Sequence, residues 1–165
     1  MFYYIFKAGN GYAGLVSEKT GIIALFLPNK RSGVLNGIRG KYPGARPANS
    51  KVLAKAAKIL QRYFDGEKVS FSGVNCDISS LKPFTRMVLK RTCKIPYGET
   101  NSYKWVGQGK SRAAGNALGS NPIPVIIPCH RVIKSDKSIG GFGYGVKWKK
   151  KLLELEKNSC IKETV

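Results

Sequence analysis

Three short runs at the start of the chain, residues 2–7, 11–16 and 21–27, have strand character. They are separated only by the tight turns Gly9-Asn10-Gly11 and Glu18-Lys19-Thr20-Gly21. Turns of that length fold the chain back on itself, so a two-hairpin or three-stranded antiparallel sheet is the simplest product. Residues 28–47, rich in Gly, Pro, Lys and Arg, read mostly as loop. Ser50 then caps a predicted helix whose apolar positions, Leu53, Ala56, Ala57, Leu60 and Phe64, follow the 3.6-residue period, with Gly66 as its stop. One helix on one sheet makes a small α+β unit. Nothing in residues 1–76 has catalytic spacing, and this part reads as a scaffold.

From residue 77 the character changes. Residues 77–82 read as a linker, and Ser80 is expected to cap a helix beginning near Pro83, with Phe84, Met87, Val88 and Leu89 on its apolar face. A break follows at Ile95-Pro96-Tyr97-Gly98. Two short helices, residues 102–108 and 111–118, joined at Gly109, suggest a helix-turn-helix within a second domain, residues 77–165. The second helix is almost stripped of bulk: Ala113, Ala114, Gly115 and Ala117, then Gly119 and Ser120. Two readings fit equally. Small residues permit close packing on a core, or they permit entry into a narrow space such as the DNA minor groove, about 6 Å wide.

Charge narrows the partners. Among 165 residues, 29 are Lys or Arg and 9 are Asp or Glu, a net charge of +20. Such a surplus favours a polyanion, nucleic acid first. The 42% apolar share excludes a disordered basic tail. The longest apolar run, residues 21–28, is too short to span a bilayer, and residues 1–6 do not read as a secretory signal. Four scattered cysteines and one histidine do not make a metal site, so neither metal nor cofactor is expected, and a reducing cytoplasm is.

The segment Asn121-Pro122-Ile123-Pro124-Val125-Ile126-Ile127-Pro128-Cys129-His130-Arg131-Val132 is the most informative. Its prolines keep it out of a helix, and residues 125–127 read as a buried strand delivering Cys129 and His130 to its end. The Cys-His pair alone reads as a buried cysteine beside a structural histidine. The longer pattern Pro128-Cys129-His130-Arg131-Val132 resembles the active-site motif of the O6-alkylguanine-DNA alkyltransferases. The resemblance continues through Pro83-Phe84, Ile95-Pro96-Tyr97-Gly98-Glu99-Thr100-Asn101-Ser102-Tyr103, Arg112-Ala113-Ala114, Asn121-Pro122, Gly140-Gly141-Phe142 and Leu152-Leu153-Glu154-Leu155-Glu156. It covers residues 83–156. The first half resembles the family's ribonuclease-H-like domain only in coarse pattern.

That resemblance implies an α+β protein with a small N-terminal ribonuclease-H-like domain and a C-terminal helical, winged-helix-like domain. It implies irreversible transfer of the alkyl group from O6-alkylguanine in double-stranded DNA to Cys129, by a monomer, with O4-alkylthymine left open. His130 would draw the thiol proton through a water, Glu156 would orient His130, and Asn121 would hold the turn carrying the cysteine. Tyr103 would donate to the guanine ring nitrogen and crowd the phosphate. Arg112 would fill the gap left by a flipped nucleotide, and the helix bearing Ala113 and Ala114, with Ser102 nearby, would meet the DNA. Leu118, Val132, Phe142, Gly143 and Tyr144 would form the pocket, with the carbonyls of Cys129 and Val132 reading the guanine amino group. The chain departs from the family pattern in a shorter Tyr103–Arg112 segment, in Phe142 where Tyr is common, and in Gly143 in place of a small hydroxyl residue.

Other features read more plainly. Residues 139–145 form a Gly-rich loop, without the strand and helix context of a nucleotide fingerprint. Trp148, Leu152 and Leu155 read as the core face of a last helix, and residues 147–151 as a solvated basic face that attracts phosphate. Cys76 and Cys93 read as buried small residues, and Cys160 as inert or exposed. Two other functions are weighed: a non-catalytic sensor of alkylated DNA, which the presence of Cys129 disfavours, and a cysteine hydrolase, which would need an oxyanion hole that no sequence signal supports.

Overall fold

The computed structural model describes residues 1–162, so residues 163–165 of the expected second domain lie outside it. The chain forms two compact units, Met1–Ile78 and Ser79–Val165.

In the first unit β1 (Phe2–Ala8), β2 (Gly11–Glu18) and β3 (Gly21–Asn29) form the expected antiparallel meander, and β4 (Arg46–Pro47) adds a short parallel edge to β1, giving the order β3-β2-β1-β4. In β2 the five residues from Ala13 to Ser17 are all buried, the mark of a central strand covered on both faces. That requires two helices, where the sequence suggested one. Residues 28–47 are not mostly loop: α1 (Arg31–Lys41) lies within them. Gly33, Gly37 and Gly40 each weaken local helix propensity by about 1 kcal/mol. Burial of Val34 and Ile38, one turn apart against Val16 and Ala24, overrides that penalty. The helix can sit so low because Gly14 faces it; a Cβ there would lie 2.6 Å from Val34 Cγ1. The second helix, α2 (Lys51–Phe64), is capped as expected by Ser50 Oγ, which accepts from Leu53 N. It buries Leu53, Ala56, Ala57, Leu60 and Tyr63; the expected Phe64 is only half-buried, because Tyr63 completes the stripe.

The second unit opens with α3 (Pro83–Thr92), whose cap position is Lys82, so Ser80 does not cap it. Pro83 at the first helical position needs no donor there, and Val88, Leu89 and Thr92 form the buried face. Then come β5 (Asn101–Ser102), α4 (Tyr103–Val106), α5 (Ser111–Gly119), β6 (Val132–Ile133) and α6 (Val146–Lys162). The short α4 is pinned to α3: Arg91 donates to Trp105 O and lays its guanidinium over the Trp105 ring, 4.6 Å from the centroid. Ala114 and Ala117 of α5 are buried, and Ala114 lies against Gly107 at the end of α4, so close packing accounts for two of the six small residues. Ser111, Arg112 and Ala113 are exposed.

Residues 125–127 are not a strand. Val125 takes φ +72°, and Ile126 N and Ile127 N close turns onto Pro124 O and Ile123 O. The prolines fix the backbone as expected, but into stacked turns. Cys129 and His130 sit on a 3-10 turn, Cys129–Arg131, that follows at once.

Candidate active site

Asn121 organises the turn from one amide. Its Oδ1 accepts from Ile123 N at 3.0 Å, while Nδ2 donates to Ile127 O at 3.0 Å and to Cys129 Sγ at 3.1 Å. The residue that shapes the loop therefore also touches the sulfur. Cys129 is 6% exposed and lines a cavity of about 600 Å³ in this unit. Burial pushes its thiol up to about 11, against the pull of the Asn121 hydrogen bond, the Lys149 charge and the backbone N–H groups of Cys129 and His130.

Behind the sulfur lies a buried ionic cluster. His130 Nε2 is 2.7 Å from Glu156 Oε1, and both side chains are shielded from solvent. Arg131 grips the same carboxylate with two donors, Nε to Oε2 at 2.9 Å and Nη2 to Oε1 at 3.0 Å, and spends Nη1 on Ile95 O. Gly98 N adds a fourth donor at 3.0 Å. Burial alone would raise the Glu156 carboxyl, but the His130 and Arg131 hydrogen bonds and charges outweigh it and hold it at about 2. An ionised carboxylate only accepts, so His130 donates from Nε2 and keeps Nδ1 as its basic nitrogen. Burial lowers the His130 pKa further than Glu156 raises it, so the ring is neutral near pH 7.

A second cluster faces the cavity from α6. Lys149 is fully buried, not part of a solvated face. Its Nζ donates to Val132 O at 2.5 Å, to Gly141 O at 3.1 Å and to Tyr103 Oη at 3.3 Å. Tyr103 in turn donates to Gly141 O at 3.3 Å, and burial, with the neighbouring Cys129, raises its pKa. Lys149 is drawn down to about 8 by burial, partly opposed by Cys129. Sequence reasoning placed Lys149 on a solvated, phosphate-attracting face and gave Arg131 no role of its own. A signal for Lys149 was present: it is seven residues before Glu156 and three before Leu152, on one helical stripe.

The expected residues separate into three groups. Tyr103, Arg112, Leu118, Cys129, Phe142 and Gly143 line the cavity together, so the short Tyr103–Arg112 segment still brings both ends to one place. His130, Glu156 and Asn121 stand behind or beside the sulfur. Val132 is wholly buried and outside the cavity wall, and its carbonyl already holds Lys149. Tyr144 is also outside the wall, 42% exposed and tilted against Phe142. Ala114 faces inward, not outward like Ala113. Ser102 Oγ caps α4 by accepting from Trp105 N, beside a small polar hollow that Lys134 and Ser135 also line. Cys93 is exposed rather than buried, and Cys76 and Cys160 are half-buried. Among the described residues no cluster of His, Cys, Asp or Glu could hold a metal, and no helix is long and apolar enough to cross a membrane.

Known proteins resemble this chain along most of its length. Residues 83–158 match the model of the 6-O-methylguanine DNA methyltransferase DNA-binding domain. The methylated-DNA–protein-cysteine methyltransferase of Methanosarcina barkeri is 38% identical over 161 residues, covering 90% of this chain and 98% of the relative. That of Methanothermobacter thermautotrophicus is 35% identical, over 87% of this chain and 78% of the relative. The fold matches that of Mycobacterium tuberculosis OGT in complex with DNA, with a TM-score of 0.80 and 32% identity over 96% of this chain and 94% of that one. With the relation to the Methanosarcina protein extending over nearly the full length of both chains, this chain belongs to the methylated-DNA–protein-cysteine methyltransferase family.

Proposed function

We propose that this protein repairs DNA by taking the alkyl group of O6-alkylguanine onto Cys129, once and irreversibly. The observation that carries the reading is the sulfur at a cavity wall with a buried His–Glu pair behind it, in a chain of this family. In the closed site the thiol is protonated, because burial disfavours the thiolate. His130, neutral at physiological pH, accepts that proton through a water. Glu156 does not take it; held at about 2, it stabilises the imidazolium. The thiolate then attacks the alkyl carbon. The S–C bond forms, the C–O6 bond breaks, and its electron pair leaves with the guanine. Tyr103, beside Lys149, assists the leaving base by donating towards a ring nitrogen, and the thiol proton ends on guanine in the net balance. A thioether offers no route back, so one molecule repairs one lesion.

A base inside a duplex cannot reach a walled sulfur, so the reading includes flipping, at a few kcal/mol. Arg112, exposed at the cavity rim, would fill the gap, and α5, with Ala113 outward, would enter the minor groove as the second helix of a helix-turn-helix formed by α4 and α5. Leu118, Phe142 and Gly143 would wall the flipped nucleotide. In this reading the N-terminal unit is a ribonuclease-H-like scaffold, the C-terminal unit is winged-helix-like, and the protein acts as a cytoplasmic monomer on double-stranded DNA. The sensor alternative is disfavoured because the acceptor sulfur is present.

The test is the mass of the intact protein before and after incubation with O6-methylguanine duplex. The expected result is the gain of one methyl group, located on Cys129 by peptide mapping and absent from Cys129→Ser. Label on Cys93, or repeated turnover, overturns the mechanism.

A further inference from the structure

We propose that the exposed face of α2, formed by Lys51, Lys55, Lys58 and Arg62, is a contact for the phosphate backbone of duplex DNA carried by the N-terminal unit itself. The four cations are spaced by four, three and four residues, which places them on one helical face, and all four are exposed. α2 contains no acidic residue. Among the described residues Arg62 pairs with Glu67 at 2.6 Å, whereas Lys51, Lys55 and Lys58 have no ion pair. The arrangement works against the helix. Like charges three and four residues apart are mutually unfavourable, and Lys51 and Lys55 lie towards the N-terminus, where the helix dipole disfavours cations. Glu67 offsets these costs for Arg62 alone; for Lys51, Lys55 and Lys58 no ion pair among the described residues does so, and an external anion would. The opposite face of the same helix fills the core with Leu53, Ala56, Ala57, Leu60 and Tyr63, so α2 has no apolar face to offer a bilayer. From Lys51 to Arg62 the helix rises about 16 Å, along which one DNA strand presents roughly five phosphates. The whole unit shares the bias, with 12 basic against 4 acidic residues in residues 1–78.

The proposal rests on DNA being the polymer that bears the substrate, and its test separates the two. Full-length protein carrying Lys51→Gln, Lys55→Gln and Lys58→Gln is compared with the unmutated chain for binding to undamaged duplex across a salt series. Losing three phosphate contacts should make the slope of log K against log salt shallower by about 2.7. A control triple, Lys19→Gln, Lys30→Gln and Lys41→Gln, removes the same charge from a turn and both ends of α1 and should change the slope far less. Transfer from O6-methylguanine duplex at saturating DNA should be unchanged in the stripe triple, and its thermal midpoint in low salt should not fall. An unchanged slope overturns the proposal, as does an equal change in the control. Loss confined to single-stranded RNA or to anionic phosphatidylserine vesicles overturns it in favour of those partners. Failure of the unmutated chain to accept a methyl group would instead count against the repair reading.

Discussion

Arg131 and Glu156 form a two-donor ion pair in the interior, with Nε and Nη2 of the guanidinium on separate oxygens of the carboxylate that also holds His130. The pair gives the histidine its support: Glu156 is fixed in place and in charge before His130 meets it. Replacing Arg131 by Met leaves a buried carboxylate with one cationic donor removed, and breaking a buried pair in this way costs about 3–5 kcal/mol. The expected outcome is a large drop in the denaturant midpoint together with slower transfer. Arg131→Lys should rescue little of either, since an ammonium cannot span both oxygens. Urea melts and single-turnover rates of the two variants check this.

Acid stability follows from the same carboxylate. Its folded pKa, about 2, is depressed below the usual value near 4.5, so the stability it adds is complete above pH 4.5 and is lost as pH falls towards 2. The depressed pKa of His130 acts in the same direction, because below about 6.5 the unfolded chain takes up a proton that the buried ring does not. Melting temperature should therefore fall steadily from pH 6.5 to 2. In Glu156→Gln the slope below pH 4.5 should be shallower by the share that Glu156 supplies, while the share from His130 remains, starting from a less stable protein. Thermal melts over that range test both statements.

Lys149 supplies the positive charge that draws the Cys129 thiol down against burial. Lys149→Met removes that pull and one donor to Tyr103, so the thiol pKa should rise and transfer should slow, by about 10-fold for each unit of rise. The rising limb of the rate against pH should also move to higher pH. A merely structural lysine would leave that limb in place, which makes the pH profile of the single-turnover rate the deciding measurement.

How much of this was legible beforehand differs from element to element. The three strands and the Ser50-capped helix were readable because each has a local signal: tight turns, a cap and an apolar stripe. Helix α1 was hidden because its glycines speak locally for loop, while the force that makes it a helix, burial of Val34 and Ile38, comes from strands distant in sequence. At the site, the residues of the family pattern could be named, and the cavity does join Tyr103, Arg112 and Cys129. The bidentate grip of Arg131 and the burial of Lys149 were not foreseen, since a charged side chain in the interior is stable only with partners from other elements. Val125 in a left-handed turn was equally hidden behind an apolar run that suggests a strand.

Asn121 joins loop geometry to sulfur chemistry, and the two roles can be separated. Asn121→Asp keeps the shape but puts a carboxylate oxygen where Nδ2 now donates to Sγ and to Ile127 O. A negative neighbour raises the thiol pKa, and each neutral hydrogen bond lost costs about 0.5–1.5 kcal/mol. Transfer should drop more than 10-fold while binding to undamaged duplex changes little. Equal losses in both would mean that the loop, not the sulfur, is what Asn121 serves. Single-turnover transfer and gel-shift affinity, measured on the same preparation, separate the outcomes.

Gly140 controls the position of Tyr103. Its φ of +68° is one that side-chain-bearing residues rarely adopt, and a Cβ there would lie 2.7 Å from Tyr103 Oη and 2.9 Å from the ring edge. Gly140→Ala must displace either the loop or the ring, and the phenol is what Lys149 and Gly141 hold in place. Moving it removes the donor proposed for the departing base without touching the sulfur. The expected result is slower transfer from O6-methylguanine duplex, by roughly 100- to 10,000-fold if proton donation by the phenol contributes as general acids usually do. Alkylation of Cys129 by a small reagent such as iodoacetamide, which needs no leaving-group proton, should keep its rate. If both reactions slow together, the loop has shifted the cysteine and the role given to Tyr103 is wrong.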